Sequence, residues 1–228
     1  MVHTVQSAKG VEQLQRTWAF AGFIVVGASN RDFFKIDDAI LTPVSYIDTY
    51  FEKAKKLDGK LRNFIGTDEE KISESIANYL SKMGHKKVLF FSFDFNQEEP
   101  SVIEKRYCAF RKFFKGEILF LTTKSADYQE ILKSVSEYLM EQPFTAIYST
   151  ADILAAKLNQ IFKDISIVGV DNAEFDEFIS PKLTTVAIDQ VEKGKMAMSN
   201  LIDSIENEIS EDYISDSLLL VRDSVKKL

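Results

Sequence analysis

A strand, an acidic turn and a second strand between residues 164 and 189 constrain the fold most. The run from 165 to 170 is short, apolar and rich in β-branched residues, which is typical of a strand buried in a parallel sheet flanked by helices. Asp171 follows it directly. Because open α/β sheets bind ligands outside the carboxyl ends of their strands, this carboxylate is predicted to accept hydrogen bonds from a small polar ligand.

Strand and helix patterns alternate along the chain, which indicates an α/β architecture. One amphipathic helix has its apolar stripe at Ile72, Ile76 and Leu80 and is predicted to end at Gly84. The segment 63–65 is predicted to form an edge of a sheet. The predicted strands are 23–27, 44–47, 63–65, 87–91, 117–121, 144–148, 165–170 and 218–221, together with the second strand of the 164–189 segment.

Composition excludes several classes of function. The chain has 228 residues, of which 45% are hydrophobic, enough for one large core or two modest ones. Its net charge of −7, without an extended Lys/Arg stripe, disfavours direct binding of nucleic acid by this segment. One cysteine and two histidines predict neither a disulfide nor a zinc site, and no cofactor is expected. The chain shows no membrane span or secretion signal, so a cytoplasmic location is expected.

Six phrases, in order, resemble the effector domain of the lactose/galactose-repressor family of transcription regulators, from about Gly22 to the end of the chain. A single phrase would be weak evidence, but six in the correct order make a chance resemblance improbable. The phrases are NYLSKMGHKKVLFF (78–91), EKRYCAF (104–110), FTAIYSTADILA (144–155), DISIVGVDN (164–172), ISPKLTTVAID (179–189) and LLLVRDS (218–224).

The resemblance implies a type I periplasmic-binding-protein-like fold. Two doubly wound parallel-sheet lobes would be joined by three chain crossings, with the ligand between them. The first lobe would take 1–83 with 189–208, and the second 84–188 with 209–228. The first lobe is expected to be truncated at its amino terminus, with His3 to Val5 or a second chain partly filling the gap.

The resemblance also places three polar ligand-binding residues. Arg106 matches an arginine that reaches sugar hydroxyls or nucleobase atoms, and its planar fork suits paired oxygen acceptors. Asp171 matches the ligand-binding aspartate that follows the VGVD strand, and Asp68 matches an aspartate that opens a helix beneath the cleft. As alternatives, Asp68 could be only a helix cap and Arg106 an ordinary surface residue.

Aromatic residues near strand exits are further candidates, because a ring can stack on the apolar face of a sugar. Phe93, Tyr148 and Phe175, together with Phe95, lie at such positions. Any one of them could instead be a core residue.

Two positions depart from the family pattern. Ala151 stands where many relatives carry an asparagine that contacts ligand, and Ile188 occupies a place that can be polar in sugar-responsive members. The ligand could therefore be smaller or less hydroxylated than a galactoside, or bind weakly.

The function expected from the resemblance is sensing of a sugar-like effector without catalysis. The protein would form a homodimer and contact DNA only through a head domain absent from this chain. One alternative is a solute-binding receptor of a transport system, which the missing signal peptide disfavours. A second is a glycoside-processing enzyme using Asp68 and Asp171 as its carboxylate pair.

Overall fold

The computed structural model describes residues 7–27, 30–49, 59–95 and 101–228, with the backbone alone for 30–34. The expected contribution of His3 to Val5 lies outside the described residues. The helices are α1 (Ala8–Thr17), α2 (Asn30–Ala39), α3 (Glu69–Lys82), α4 (Val102–Phe113), α5 (Tyr128–Glu141), α6 (Asp152–Ile161) and α7 (Gln190–Glu206). The strands are β1 (Phe23–Val26), β2 (Val44–Ile47), β3 (Arg62–Thr67), β4 (Lys87–Phe93), β5 (Glu117–Thr123), β6 (Ala146–Ser149), β7 (Ser166–Asp171), β8 (Thr184–Ile188), β9 (Tyr213–Ser215) and β10 (Ser217–Leu220).

The chain divides into two compact units. The first comprises Met1–Thr67, Glu99–Val102 and Asp189–Ser215. The second comprises Asp68–Glu98, Ile103–Ile188 and Asp216–Leu228.

The first unit contains a parallel sheet in the order β1-β2-β3-β9. Val44 and Tyr46 of β2 pack in one cluster with Ile36 of α2 and with Ile40, the residue directly after α2. The expectation that 63–65 forms an edge is wrong, because β3 pairs with β2 on one side and β9 on the other.

The second unit contains a sheet in the order β10-β8-β7-β6-β4-β5. All its neighbouring strands are parallel except β10, which runs antiparallel to β8. The expectation of a purely parallel lobe is therefore corrected at this edge, where an antiparallel strand needs hydrogen bonds on one side only and is common in doubly wound sheets.

Alternation along β4 divides the core of the second unit between the two faces of its sheet. Val88 and Phe90 pack in the cluster that contains Ile72, Ile76, Ala77 and Leu80 of α3 and Phe110 of α4. Leu89 and Phe91 pack in the cluster that contains Ile131 and Val135 of α5 and Leu154, Ala155 and Leu158 of α6. The near-continuous burial of β4, β6 and β7 follows from this double coverage.

The boundaries of the units differ from the expected lobes at three places, one of which is the segment Glu99–Val102 in the first unit. Helix α3 belongs to the second unit, because its stripe Ile72, Ile76 and Leu80 packs with Val88 and Phe90. The segment 209–215 belongs to the first unit, because β9 pairs with β3.

Aspartates begin several of the helices by capping exposed amide groups. Asp68 accepts a hydrogen bond from the Lys71 amide at 3.0 Å and Asp189 one from the Glu192 amide at 2.8 Å. Helix α3 ends at Lys82 with Met83 as its cap, two residues before the predicted Gly84. Gly84 follows with a φ of 96°, which glycine adopts without steric cost. None of the described helices is long and apolar enough to cross a bilayer.

Candidate functional site

The candidate site lies at the carboxyl edge of the second sheet, where β6 ends at Ser149 and β7 ends at Asp171. These two strands are neighbours and parallel, so their exits lie side by side. Arg106 from α4 and Glu69 from the start of α3 contact each other here, and Asp171 ends β7 at the same edge.

Arg106 is buried and held on two sides of its guanidinium. Its Nε donates to Oε2 of Glu69 at 2.5 Å, and its Nη1 donates to the carbonyl oxygen of Thr150, just after β6, at 2.8 Å. The side chains of Arg106 and Glu69 are only 7% and 6% exposed. Arg106 is therefore not an ordinary surface residue, and its fork points at the exit of β6.

The charges around Arg106 keep it protonated. Burial alone would lower the pKa of Arg106, but the carboxylate of Glu69, with contributions from Tyr148 and Asp171, raises it overall. Asp171 acts electrostatically on Arg106, and it ends the strand next to the one whose exit Arg106 contacts. Their role in binding a ligand stays a prediction.

Asp171 occupies an uncommon backbone conformation. Its φ is 124° and that of the following residue, Asn172, is 57°, so the chain turns sharply as it leaves β7. Conformations of this kind are held by surrounding structure and cluster at ligand sites.

Asp68 is an exposed residue whose carboxylate caps α3. A helix cap was one of the two roles expected for this residue, the other being contact with ligand. Asp68 also belongs to the second unit rather than the first lobe, since α3 packs in the second core.

The predicted aromatic residues have different environments. Tyr148 is fully buried, its ring lies 5.0 Å from those of Phe90 and Phe110, and its hydroxyl is 3.0 Å from Oγ of Ser73. Its ring has no exposed face for stacking, so it is a core residue that also supports α3. Phe93 is partly buried against the cluster on the opposite face of the sheet, and Phe175 is partly buried in the 3-10 turn after β7.

The two positions that depart from the family pattern lie at the ends of elements. Ala151 immediately precedes α6 and makes no side-chain cap. Ile188 is 7% exposed and packs in the core cluster that contains Tyr148. Ile188 is thus an apolar packing residue at the end of β8.

A buried carboxyl pair near the same strand exits was not predicted from the sequence. Both oxygens of Asp152 accept from the Thr185 hydroxyl, at 2.8 and 2.9 Å, and one also accepts from the Ala173 amide at 3.1 Å. Asp176 is fully buried, and when ionised its oxygens have no hydrogen-bond partner among the described residues. Burial, a hydrogen bond to Asp152 and the Asp152 charge raise the pKa of Asp176 to about 8. A protonated Asp176 can donate a hydrogen bond to Asp152, so that the pair does not bury two neighbouring negative charges.

A second unpredicted cluster lies at the carboxyl edge of the first sheet. Lys193 of α7 donates to both carboxylate oxygens of Asp48, which follows β2, and lies 3.4 Å from Oγ1 of Thr67 at the end of β3. Helical spacing could have revealed it, since Lys193 shares the buried face of α7 with Ala197 and Leu201. No comparable signal marks Glu69, because its partner lies on another helix.

The match to a family model covers most of the chain. The model of the periplasmic binding protein-like domain matches residues 77–225. The chain belongs to this family. The match covers all of the second unit except its first helix turns and last residues.

The relatives confirm the resemblance to the effector domain of lactose/galactose-repressor-type regulators. The chain is 25% identical to the probable HTH-type transcriptional regulator EndR of Paenibacillus polymyxa over 192 residues, 76% of this chain and 56% of the relative. It is 26% identical to the HTH-type transcriptional repressor CytR of Escherichia coli K12 over 167 residues, 66% of this chain and 48% of the relative. The chain thus spans about half the length of these curated relatives.

Solved structures confirm the fold. A LacI family transcriptional regulator from Enterococcus faecium with bound ribose superposes with a TM-score of 0.82 at 21% identity, covering 98% of this chain and 86% of that one. The LacI family regulator CcpA from Weissella paramesenteroides with bound glucose gives 0.78 at 22% identity, covering 97% and 83%. The predicted periplasmic-binding-protein-like α/β fold is therefore correct.

Proposed function

We propose that this chain is the effector-binding domain of a transcription regulator and takes a sugar-like molecule at the carboxyl edge of its second sheet. The observation that carries the proposal is the convergence of Arg106 and Asp171 at the exits of β6 and β7. Guanidinium donors and carboxylate acceptors together suit a hydroxyl group, which can both accept and donate a hydrogen bond.

The comparisons support the class of ligand. Relatives of this chain are transcriptional regulators, and structures with the same fold hold ribose and glucose. The effector would act by population shift, since a ligand changes a conformational equilibrium only when it binds one state more tightly than the other.

The proposal includes the partners that such a domain needs. The protein would act in the cytoplasm as a homodimer and would contact DNA through a head domain outside this chain, as the names of its HTH-type relatives suggest. It would catalyse no reaction.

Two alternatives have less support. The reported relatives are named as transcriptional regulators, which disfavours a transport receptor of the same fold. A glycoside-processing enzyme needs two carboxyls flanking an accessible bond. The paired carboxyls that the structure describes, Asp152 and Asp176, are both fully buried, and Asp68 caps α3.

A ligand screen followed by calorimetry tests the proposal. A thermal-shift screen against sugars, sugar phosphates and purines identifies ligands, because a molecule that binds only the folded protein raises its apparent stability with concentration. Truncating the Arg106 fork in Arg106→Ala should then weaken binding by about tenfold to a hundredfold.

Two further variants separate binding from folding. Asp171→Asn keeps a residue that tolerates positive φ and should also weaken binding. Arg111→Ala alters an exposed arginine of the same helix and should leave the affinity unchanged. Unchanged binding by both Arg106→Ala and Asp171→Asn would refute the site.

A further inference from the structure

Arg106 is already paired with a carboxylate of its own chain. Glu69 accepts from Nε, and the Thr150 carbonyl accepts from Nη1. Both partners of the Glu69–Arg106 ion pair are buried, so neither can turn outward to solvent without breaking the pair.

The immediate charge balance is negative. Glu69 and Asp171 both act electrostatically on the single positive charge of Arg106, which leaves one net negative charge on the three groups. Asp68, next to Glu69, adds a further carboxylate at the start of α3. A phosphate or carboxylate group arriving here would be placed beside this net negative charge. If it took the Nε donor, it would also leave the buried Glu69 carboxylate without its cation.

Hydroxyl groups meet no such conflict. A carboxylate offers several lone-pair sites, so Asp171 and Glu69 can accept from sugar hydroxyls while keeping the contacts they already make. Binding of a neutral ligand therefore leaves the buried ion pair intact.

We propose that Glu69 is a specificity-determining residue, which makes the site select uncharged polyhydroxyl ligands and reject their phosphorylated or carboxylated forms. The inference rests on the proposed function, because it concerns the same site. The inference goes beyond the proposed function because it names the class of sugar that is bound and the residue that selects this class.

Matched pairs of ligands test the inference on the whole chain. Calorimetry would compare ribose with ribose 5-phosphate, glucose with glucose 6-phosphate, and glucose with glucuronate. The wild-type protein should bind the neutral member of the accepted pair at least about tenfold more tightly, because a like charge is juxtaposed with buried carboxylates.

Two glutamate variants locate the cause. Glu69→Gln keeps the size of the side chain and removes its charge, so the preference for the neutral ligand should shrink by about tenfold. Glu70→Gln is the matched control, because Glu70 is the adjacent residue, is 56% exposed and pairs with the exposed Lys112. It should keep the wild-type preference.

The possible outcomes test this inference separately from the proposed function on which it rests. Tighter or equal binding of the anionic sugar by the wild-type protein would overturn the inference while leaving sugar sensing intact, and this result needs no variant to fold. Equal preferences in Glu69→Gln and Glu70→Gln would also overturn it. Failure of every sugar, neutral or anionic, to bind any of the proteins would defeat the proposed function and the inference together.

Discussion

Lys193 donates from Nζ to both carboxylate oxygens of Asp48, at 2.7 and 2.8 Å, and joins α7 to the end of β2 within the first unit. The lysine side chain is 1% exposed, whereas that of Asp48 is 30% exposed. The two partners therefore depend on the ion pair to different degrees, because water can hydrate the aspartate but not the lysine.

Asp48→Asn should destabilise the protein more than Lys193→Met does. Asparagine suits the φ of 52° at this position, so the main effect is a buried ammonium without an anion, which should cost about 2 to 4 kcal/mol of unfolding free energy. Lys193→Met leaves an aspartate that water can reach and should cost less. Urea denaturation measures both.

Lys195→Met serves as the control for the lysine variant, since Lys195 lies on the same helix with its side chain 69% exposed. Its effect should stay within about 0.5 kcal/mol. A loss of stability in Asp48→Asn no larger than in this control would contradict the prediction.

Periodicity predicted the long elements well because their burial is continuous. Strands β4, β6 and β7 are buried on both faces, and the stripe on α3 reappears as buried residues. Periodicity does not predict strand β9, because the strand has only three residues and they lie among acidic neighbours. This segment forms a strand by pairing with β3, which is distant in the sequence.

The site was predictable only in part. Arg106 and Asp171 are predicted from a resemblance, and in the structure Asp171 acts electrostatically on Arg106. Glu69 had no signal of its own, because a glutamate in the first turn of a helix is ordinary. Its pairing with Arg106 depends on the packing of α3 beside α4, which local sequence does not determine.

Gly169→Ala should destabilise the second unit through a steric clash. An added Cβ would lie 1.9 Å from Oδ1 of Asp152, whose carboxylate is held by Thr185 and Ala173 and cannot move away. We expect a loss of about 1 to 3 kcal/mol on chemical denaturation.

Gly194→Ala is the matched control for this variant. Gly194 lies in α7 and an added Cβ there meets nothing within 4 Å, so the variant should be neutral or more stable by about 0.5 to 1 kcal/mol. Equal behaviour of the two variants would show that Asp152 is not held as described.

Arg106→Met should lower stability even without ligand. The change leaves the buried Glu69 carboxylate without its cation, which should cost about 3 to 5 kcal/mol. Adding Glu69→Gln to this variant should recover part of the loss, because the uncompensated charge is then removed. Denaturation of the two single variants and the double variant measures the coupling, and additive losses would argue against a direct ion pair.

The pair of Asp152 and Asp176 should make stability depend on pH. The pKa of Asp176 is about 8 in the folded protein because of burial and its contacts with Asp152, while Arg222 opposes the shift. Its ordinary value is 3.8, so between about pH 4 and pH 8 the folded state holds a proton that the unfolded state has lost. The stability contributed by this carboxyl is therefore complete below pH 4 and is lost as the pH rises through about 8, with a slope of at most about 1.4 kcal/mol per pH unit.

Asp176→Asn isolates this contribution, because asparagine is uncharged at every pH and can still donate to Asp152. The wild-type protein should lose stability relative to Asp176→Asn as the pH rises from 5 to 8, and the difference should level off above about 8. Urea denaturation at each pH gives the free energies, and Glu174→Gln, at an exposed carboxyl in the same turn, should follow the wild-type profile. A difference between wild type and Asp176→Asn that stays constant from pH 5 to pH 9 would rule out a proton held by the buried pair.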